Sequence, residues 1–212
     1  MVLIGRTTVV SLARDERKAL VDLMTELGPD APTLCGTWSA KDLAAHLAIR
    51  ERRPDTAPGI MLPVFAKWTE KVQADYTHKA WSELLDLVRT PPYWIQPVDD
   101  LMNTAEYFVH HEDVRRAQSD WEPRPYDERR EKVLWKVLPI TARMTFKSSP
   151  VGVTLVRPDG EHIVAKQGAN GVVITGEVSE LVMLAFGRDE ARVEYSGDAD
   201  AVQRVRSLNR SV

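Results

Sequence analysis

The stretch Asn103–Gln118, "NTAEYFVHHEDVRRAQ", decides how the chain is read. An α-helix advances about 100° per residue. With Glu106 as the reference direction, His110 lies roughly 40° to one side and Asp113 roughly 20° to the other. Met102, Val109, Val114 and Ala117 fall on that same half of the helix. His111 points about 140° away, towards Glu112 and Arg115, and is expected on the solvated face. His110 therefore shares an apolar stripe with a carboxylate one turn before it. An imidazole and a carboxylate turned towards a core need a hydrogen bond, an ion pair or a metal.

A second helix supplies another inward polar group. In "SAKDLAAHLAIRERRP", Ser39 is the N-cap with Asp42 three residues on, and Pro54 ends the helix. His46 is flanked on its face by Leu43, Leu47 and Ile49, with Asp42 and Arg50 one turn to either side. The set His46, Glu106 and His110 offers two nitrogens and one carboxylate oxygen. Such a set leaves positions for water or substrate, as in a catalytic zinc site. Nickel, iron and manganese accept the same donors. Spacing alone leaves two readings open, because an inward Glu and His one turn apart also satisfy each other by hydrogen bonding.

The surrounding sequence frames this constellation. "SLARDERKALVDLMTELGPD" reads as a first helix capped by Ser11, and a third helical region runs from about Val64 to Val88, broken near Tyr76–His78. With the region from Leu101 to Gln118 this makes four helices, expected as an antiparallel bundle over residues 1–120. "DWEPRPYDE" reads as a linker. Beyond it the period becomes alternating: "VGVTLVRPDGEHIVAKQGANGVVITGE" holds three short β-rich runs separated by turns. A helix at "EVSELVMLAFGR", a strand near "ARVEY" and a last helix at "DADAVQRVRSLN" complete a small α+β module over 121–212.

The chain has 212 residues, 43% hydrophobic and 28% charged, with a formal net charge of −3. That balance gives no electrostatic case for nucleic acid or an anionic membrane. No apolar run is long enough to span a bilayer, and the first twenty or so residues lack the regions of a secretory signal. The one cysteine, Cys35, excludes an internal disulfide and fits a reducing compartment, so a cytoplasmic location is expected. Cys35 lies just upstream of the second helix with no histidine partner nearby in sequence, and is expected to be a buried, inert thiol. No glycine-rich phosphate loop is present.

Two segments together, "TLCGTWSAKDLAAHLAIRERRPD" and "NTAEYFVHHEDVRRAQ", resemble the actinobacterial metal-binding branch of the DinB-like superfamily, whose functionally understood relatives are mycothiol-dependent maleylpyruvate isomerases. The resemblance rests on "W-S-x-x-D-L-x-x-H-L" and "E-x-x-x-H". It implies a four-helix bundle followed by a small α+β domain similar to sterol carrier proteins. It also implies a metal held by His46, Glu106 and His110, usually zinc, which activates a small thiol such as mycothiol for attack on an electrophile. The implied reaction is S-transfer or isomerisation. An arginine of the C-terminal domain assists in those relatives, and Arg188 in "AFGRDEA" is the candidate here; a cation favoured at a helix C-terminus is the plainer account. Arg50 and Arg53 are candidates for binding carboxylates of thiol or substrate, or for pairing with Asp113 or Glu112. Asp113 and Asp42 are candidates to orient the ligands from behind. The expected partners are a small thiol and an electrophilic substrate, without nucleic acid or membrane, in a monomer or homodimer. Two other readings compete: a non-catalytic small-molecule or lipid-binding module that retains the metal site, and a purely structural metal.

Overall fold

The structure is a computed structural model that describes residues 11–56, 66–95 and 99–209. The sequence readings on residues 1–10, the start of the third helix near Val64 and the side chain of Met102 lie outside the described residues. The chain divides into two compact units, with the boundary between Glu122 and Pro123.

The first unit is helical. Helix α1 (Leu12–Leu27) opens on Ser11, whose side chain accepts from the Arg14 N–H, and stops at Gly28. Helix α2 (Ala40–Arg52) begins with a full capping box: the Ser39 hydroxyl accepts from the Asp42 N–H while the Asp42 carboxylate accepts from the Ser39 N–H. A short 3-10 turn follows at Pro54–Thr56. The expected break near Tyr76–His78 is real: α3 (Ala66–Thr77) ends there and α4 (Trp81–Arg89) begins after it. Helix α5 (Asp99–Arg116) carries Glu106, His110, His111 and Asp113.

Four of these helices share one core. Leu20, Val21 and Met24 of α1, Leu43, Leu47 and Ala48 of α2, Leu84 and Val88 of α4, and Tyr107 and Val114 of α5 all meet in it. Helix α3 packs on α2.

An ionic cluster sits inside this apolar core. The Arg17 guanidinium, 2% exposed, donates to both oxygens of Glu51 at 2.8 Å each and to Asp99 at 2.7 Å. It also donates to the Val88 carbonyl at 3.0 Å and the Tyr107 hydroxyl at 2.5 Å, and stacks on the Tyr107 ring. The Tyr107 hydroxyl in turn donates a hydrogen bond to Glu51 at 3.0 Å. Burial and the Glu51 charge push the Tyr107 phenol well above its ordinary value, so it stays a donor. One arginine thereby joins α1, α2, α4 and α5.

The sequence reading places the change from helix to strand directly after the linker. The structure corrects this. An eighteen-residue helix, α6 (Glu128–Thr145), comes first, capped by Asp127. Leu134, Leu138 and Ala142 recur every fourth residue and are buried, which is a helical period. Pro139 interrupts that pattern to the eye, but it removes only one N–H and the helix continues through it.

The second unit then builds a four-stranded mixed sheet in the order β2-β1-β3-β4. The strands are β1 (Val153–Val156), β2 (His162–Lys166), β3 (Val172–Thr175) and β4 (Glu194–Ser196). β1 pairs antiparallel with β2 and parallel with β3, and β3 pairs antiparallel with β4. Alternate residues Val153, Leu155, Val172 and Ile174 are buried, so one face of the sheet is the core face. Gly152 and Gly168 cross so closely that a Cβ on either would lie 2.7 Å from the other's backbone, which accounts for both glycines. Helices α7 (Val178–Ala185) and α8 (Ala199–Arg206) complete the unit, α7 packing on α6. Among the described residues no helix is long and apolar enough to cross a membrane.

The ionic cluster gives a direct test. Arg17→Ala strands two buried carboxylates and is expected to lower stability by about 3–5 kcal/mol in urea unfolding. Lys18→Ala, which removes only an exposed pair with Asp22, is expected to change it by less than about 1 kcal/mol.

Candidate metal centre

Helix α5 is enclosed on every side. All residues from Tyr107 to Val114 are buried, a run longer than two helical turns. The expectation that His111 faces solvent is therefore overturned. Its Nδ1 lies 2.7 Å from Glu16 of α1, and both side chains are buried. A helical wheel assigns one polar face to water, but α1 covers that face and brings its own carboxylate to it. Glu112 is buried too, accepting from Arg115 at 2.9 Å and Arg116 at 2.6 Å.

His110 is the centre of the polar group on the other side. Its Nδ1 lies 2.9 Å from Asp113 Oδ2, one turn on, and its Nε2 lies 3.6 Å from Glu106 Oε2, one turn back. The His46 ring of α2 meets it edge-on, 5.7 Å between centroids. Trp38 covers His46 at 5.2 Å. The Arg50 Nε lies 3.5 Å from the same Glu106 oxygen. An ionised Asp113 can only accept, so Nδ1 carries the proton in that contact. When His110 is neutral, its lone pair is then on Nε2, the nitrogen nearer Glu106.

Cys35 enters this group from the loop between α1 and α2. The Leu34 N–H donates to the Asp113 carbonyl in the last turn of α5 at 3.1 Å, which docks the loop. Cys35 Sγ then lies 3.1 Å from Asp113 Oδ2 and 3.8 Å from His110 Nδ1. The thiol is only partly buried. The expectation of a buried cysteine without a histidine partner fails, because the partners lie more than seventy residues away. No local pattern near Cys35 marks them. Among the described residues, Cys35, His110 and Asp113 form the one group of three whose ligand atoms all lie within 4.8 Å of one another, and they could hold a metal ion.

The remaining candidates are dispersed. Asp42 uses its carboxylate in the capping box of α2. Arg53 forms a fork with Asp55 at 2.9 and 2.8 Å and lies over the Trp68 ring, so its local acid is Asp55. Arg188 belongs to the second unit, just beyond α7, where its Nη1 donates to the Phe186 carbonyl.

The electrostatics separate the two histidines. Burial, with the charge of His110, pushes His46 down to about 4 and keeps it neutral. His110 is also penalised by burial, but Asp113, Cys35 and Glu106 outweigh this and raise it well above its ordinary value. Burial pushes Glu106 up, while His110 and Arg50 pull it further down, to about 2.

No family profile matches the sequence, and no curated protein sequence does. Comparison with solved structures finds the fold. The chain is similar to the crystal structure of the mycothiol-dependent maleylpyruvate isomerase, with a TM-score of 0.60 and 16% identity, over 87% of this chain and 90% of that one. A histidine-to-alanine mutant of that isomerase gives a TM-score of 0.61 at 15% identity over the same shares. The helical unit followed by a small mixed sheet with helices is thus the fold of the mycothiol-dependent maleylpyruvate isomerase.

The opposed histidines predict opposite pH behaviour in the metal-free protein. A folded value below the unfolded one means that His46 contributes stability above about pH 6.5, lost as pH falls towards 4. For His110 the folded value is raised, so its contribution is present below about pH 6.5 and lost as pH rises through the folded value. Nitrogen-15 NMR of the ring nitrogens at pH 6 is expected to show His46 neutral and His110 protonated. Finding both histidines titrating together near 6.5 would contradict the geometry.

Proposed function

We propose that this protein is a divalent-metal- and thiol-dependent enzyme, an S-transferase or an isomerase, of the DinB-like branch that its two motifs resemble. One observation carries the reading: His110 is held at Nδ1 by Asp113 while its Nε2 faces Glu106, with the neutral His46 ring beside it. A carboxylate behind a histidine is the usual way a metal ligand is oriented and made more basic. His46, Glu106 and His110 would hold the ion, zinc first, with nickel, iron or manganese as alternatives. When bound, the ion supplies a Lewis acid that keeps a small thiol such as mycothiol as thiolate at neutral pH.

Each residue has a task in this reading. His46 offers a lone pair without losing a proton, because it is neutral already. Glu106 is ionised and balances part of the cation's charge. Asp113 fixes the ring of His110. Arg50 and, more distantly, Arg53 are the groups for a substrate or thiol carboxylate, and Arg188 is the catalytic candidate of the second unit, which is read as sterol-carrier-like. The substrate is a small electrophile, and the compartment a reducing one.

A second metal reading has an observation of its own, the close group Cys35, His110 and Asp113. It uses the opposite nitrogen of His110, so mutants separate the two. Elemental analysis of purified protein is expected to show near-stoichiometric metal in wild type and in Cys35→Ala, and none in His46→Ala or His110→Ala. Asp113→Asn is expected to lower affinity roughly 10–100-fold. Metal lost in Cys35→Ala but kept in His46→Ala would move the ion to the cysteine side. A wild type that takes up no added zinc or nickel would leave a hydrogen-bonded pair and favour a non-catalytic binding module.

A further inference from the structure

We infer that the outer face of α6 is a docking surface for an anionic phospholipid bilayer, against which the second unit lies peripherally. The inference concerns that unit alone and does not rest on the metal reading.

The net charge of −3 hides a local segregation of charge. Between Lys132 and Lys147 the sequence holds Lys132, Lys136, Arg143 and Lys147 and no Asp or Glu. All four side chains are exposed, and none forms an ion pair among the described residues. Three of them share one side of the helix. With Ile140 as the reference direction, Lys136, Arg143 and Lys132 lie roughly 40°, 60° and 80° to one side, and Met144 roughly 40° to the other. Lys147 follows directly after the Phe146 cap, and the Lys166 ammonium of the edge strand β2 donates to its carbonyl at 3.0 Å, which adds a fifth cation. The acids of α6 are elsewhere: Glu128 and Glu131 stand in its first turn, and Glu131 turns inward to accept from the Ser179 N–H at 2.9 Å.

Two aliphatic side chains stand beside these cations. Ile140 is 68% exposed and Met144, one turn on, 56%. The unit's own core does not use them, because Leu134, Leu138 and Ala142 already bury the opposite side of α6. The boundary between headgroups and acyl chains meets both needs, with negative charge outside and an apolar layer just beneath. A second copy of the chain would set cations against cations across a two-fold contact. A nucleic-acid backbone would neutralise the cations but offer the aliphatic pair only charged phosphates. Since the inner face of α6 stays packed, the contact is shallow: cations on headgroups and two side-chain tips below them.

The test is co-sedimentation of the full chain with phosphatidylcholine vesicles, with and without a third of phosphatidylserine. Wild type is expected to bind only the phosphatidylserine vesicles and to be released in 1 M salt, where the screening length is about 3 Å. Lys136→Gln with Arg143→Gln is expected to weaken binding about 25-fold, at about fivefold for each cation. Ile140→Ser with Met144→Ser is expected to weaken it about five- to tenfold. Lys67→Gln with Lys71→Gln, exposed on α3, removes the same charge from the first unit and is expected to leave binding unchanged. Circular dichroism checks that each variant is folded, and Lys132→Gln with Lys147→Gln decides the charge role if the first pair is not. Chelator-stripped protein is expected to bind as wild type does, so loss of the metal reading leaves this one standing. Absence of wild-type binding, equal binding to pure phosphatidylcholine, or an equal loss in the α3 pair would overturn the inference. So would binding to a DNA duplex or to polyglutamate, lost in the α6 variants, without binding to vesicles.

Discussion

The rest of the helical unit depends on one buried cation. Arg17 has no route to water, yet it is held by two carboxylates, a phenol and a backbone carbonyl drawn from three other helices. A guanidinium in an apolar core is tolerable only if its charge is balanced and most of its donors are met, as they are here at both Nη atoms, with Nε alone left without a hydrogen bond. The requirement works in both directions: Glu51, Asp99 and Tyr107 need Arg17 as much as it needs them. Apolar contacts such as those of Leu20, Leu47 and Leu84 are forgiving of small shifts between helices, whereas five directed hydrogen bonds are not. The cluster therefore fixes the register of α1, α2, α4 and α5 more narrowly than the apolar core does.

That fixed register is what brings the candidate metal centre together. His46 on α2 and His110 on α5 meet because α2 and α5 are already pinned by Glu51, which accepts from both Asn103 and Tyr107. The loop before α2 is pinned separately, by the Leu34 N–H on the Asp113 carbonyl, which sets Cys35 beside the same histidine. His110 thus has a different neighbour at each nitrogen, Glu106 at one and the Asp113–Cys35 pair at the other. The two metal readings differ only in which nitrogen does the binding. An imidazole with an acceptor at Nδ1 is a ligand through Nε2, which is why the His46 side carries the functional proposal.

The relation to the maleylpyruvate isomerase is a relation of fold. Identity of 16% over most of both chains says that the same order of helices and strands is reached by a largely different sequence. Chemistry does not follow from architecture alone. What raises the thiol-enzyme reading above the bare fold is local: a neutral histidine, an ionised glutamate and an oriented histidine within one pinned set of helices.

The sequence by itself determined the periodic elements and the inward polar residues. Capping at Ser11 and Ser39, the break after Tyr76, the four strands, and the sharing of one face by Glu106, His110 and Asp113 all follow from local rules, because caps and periods are short-range. Three things were decided only by the tertiary structure. Helix α6 was hidden by Pro139, whose cost packing against α7 offsets. His111 was misplaced because a helical wheel knows one helix at a time, and α1 covers the face it assigns to water. Cys35 was misjudged because its partners lie far away in sequence, and only the packing of whole helices sets which distant side chains meet.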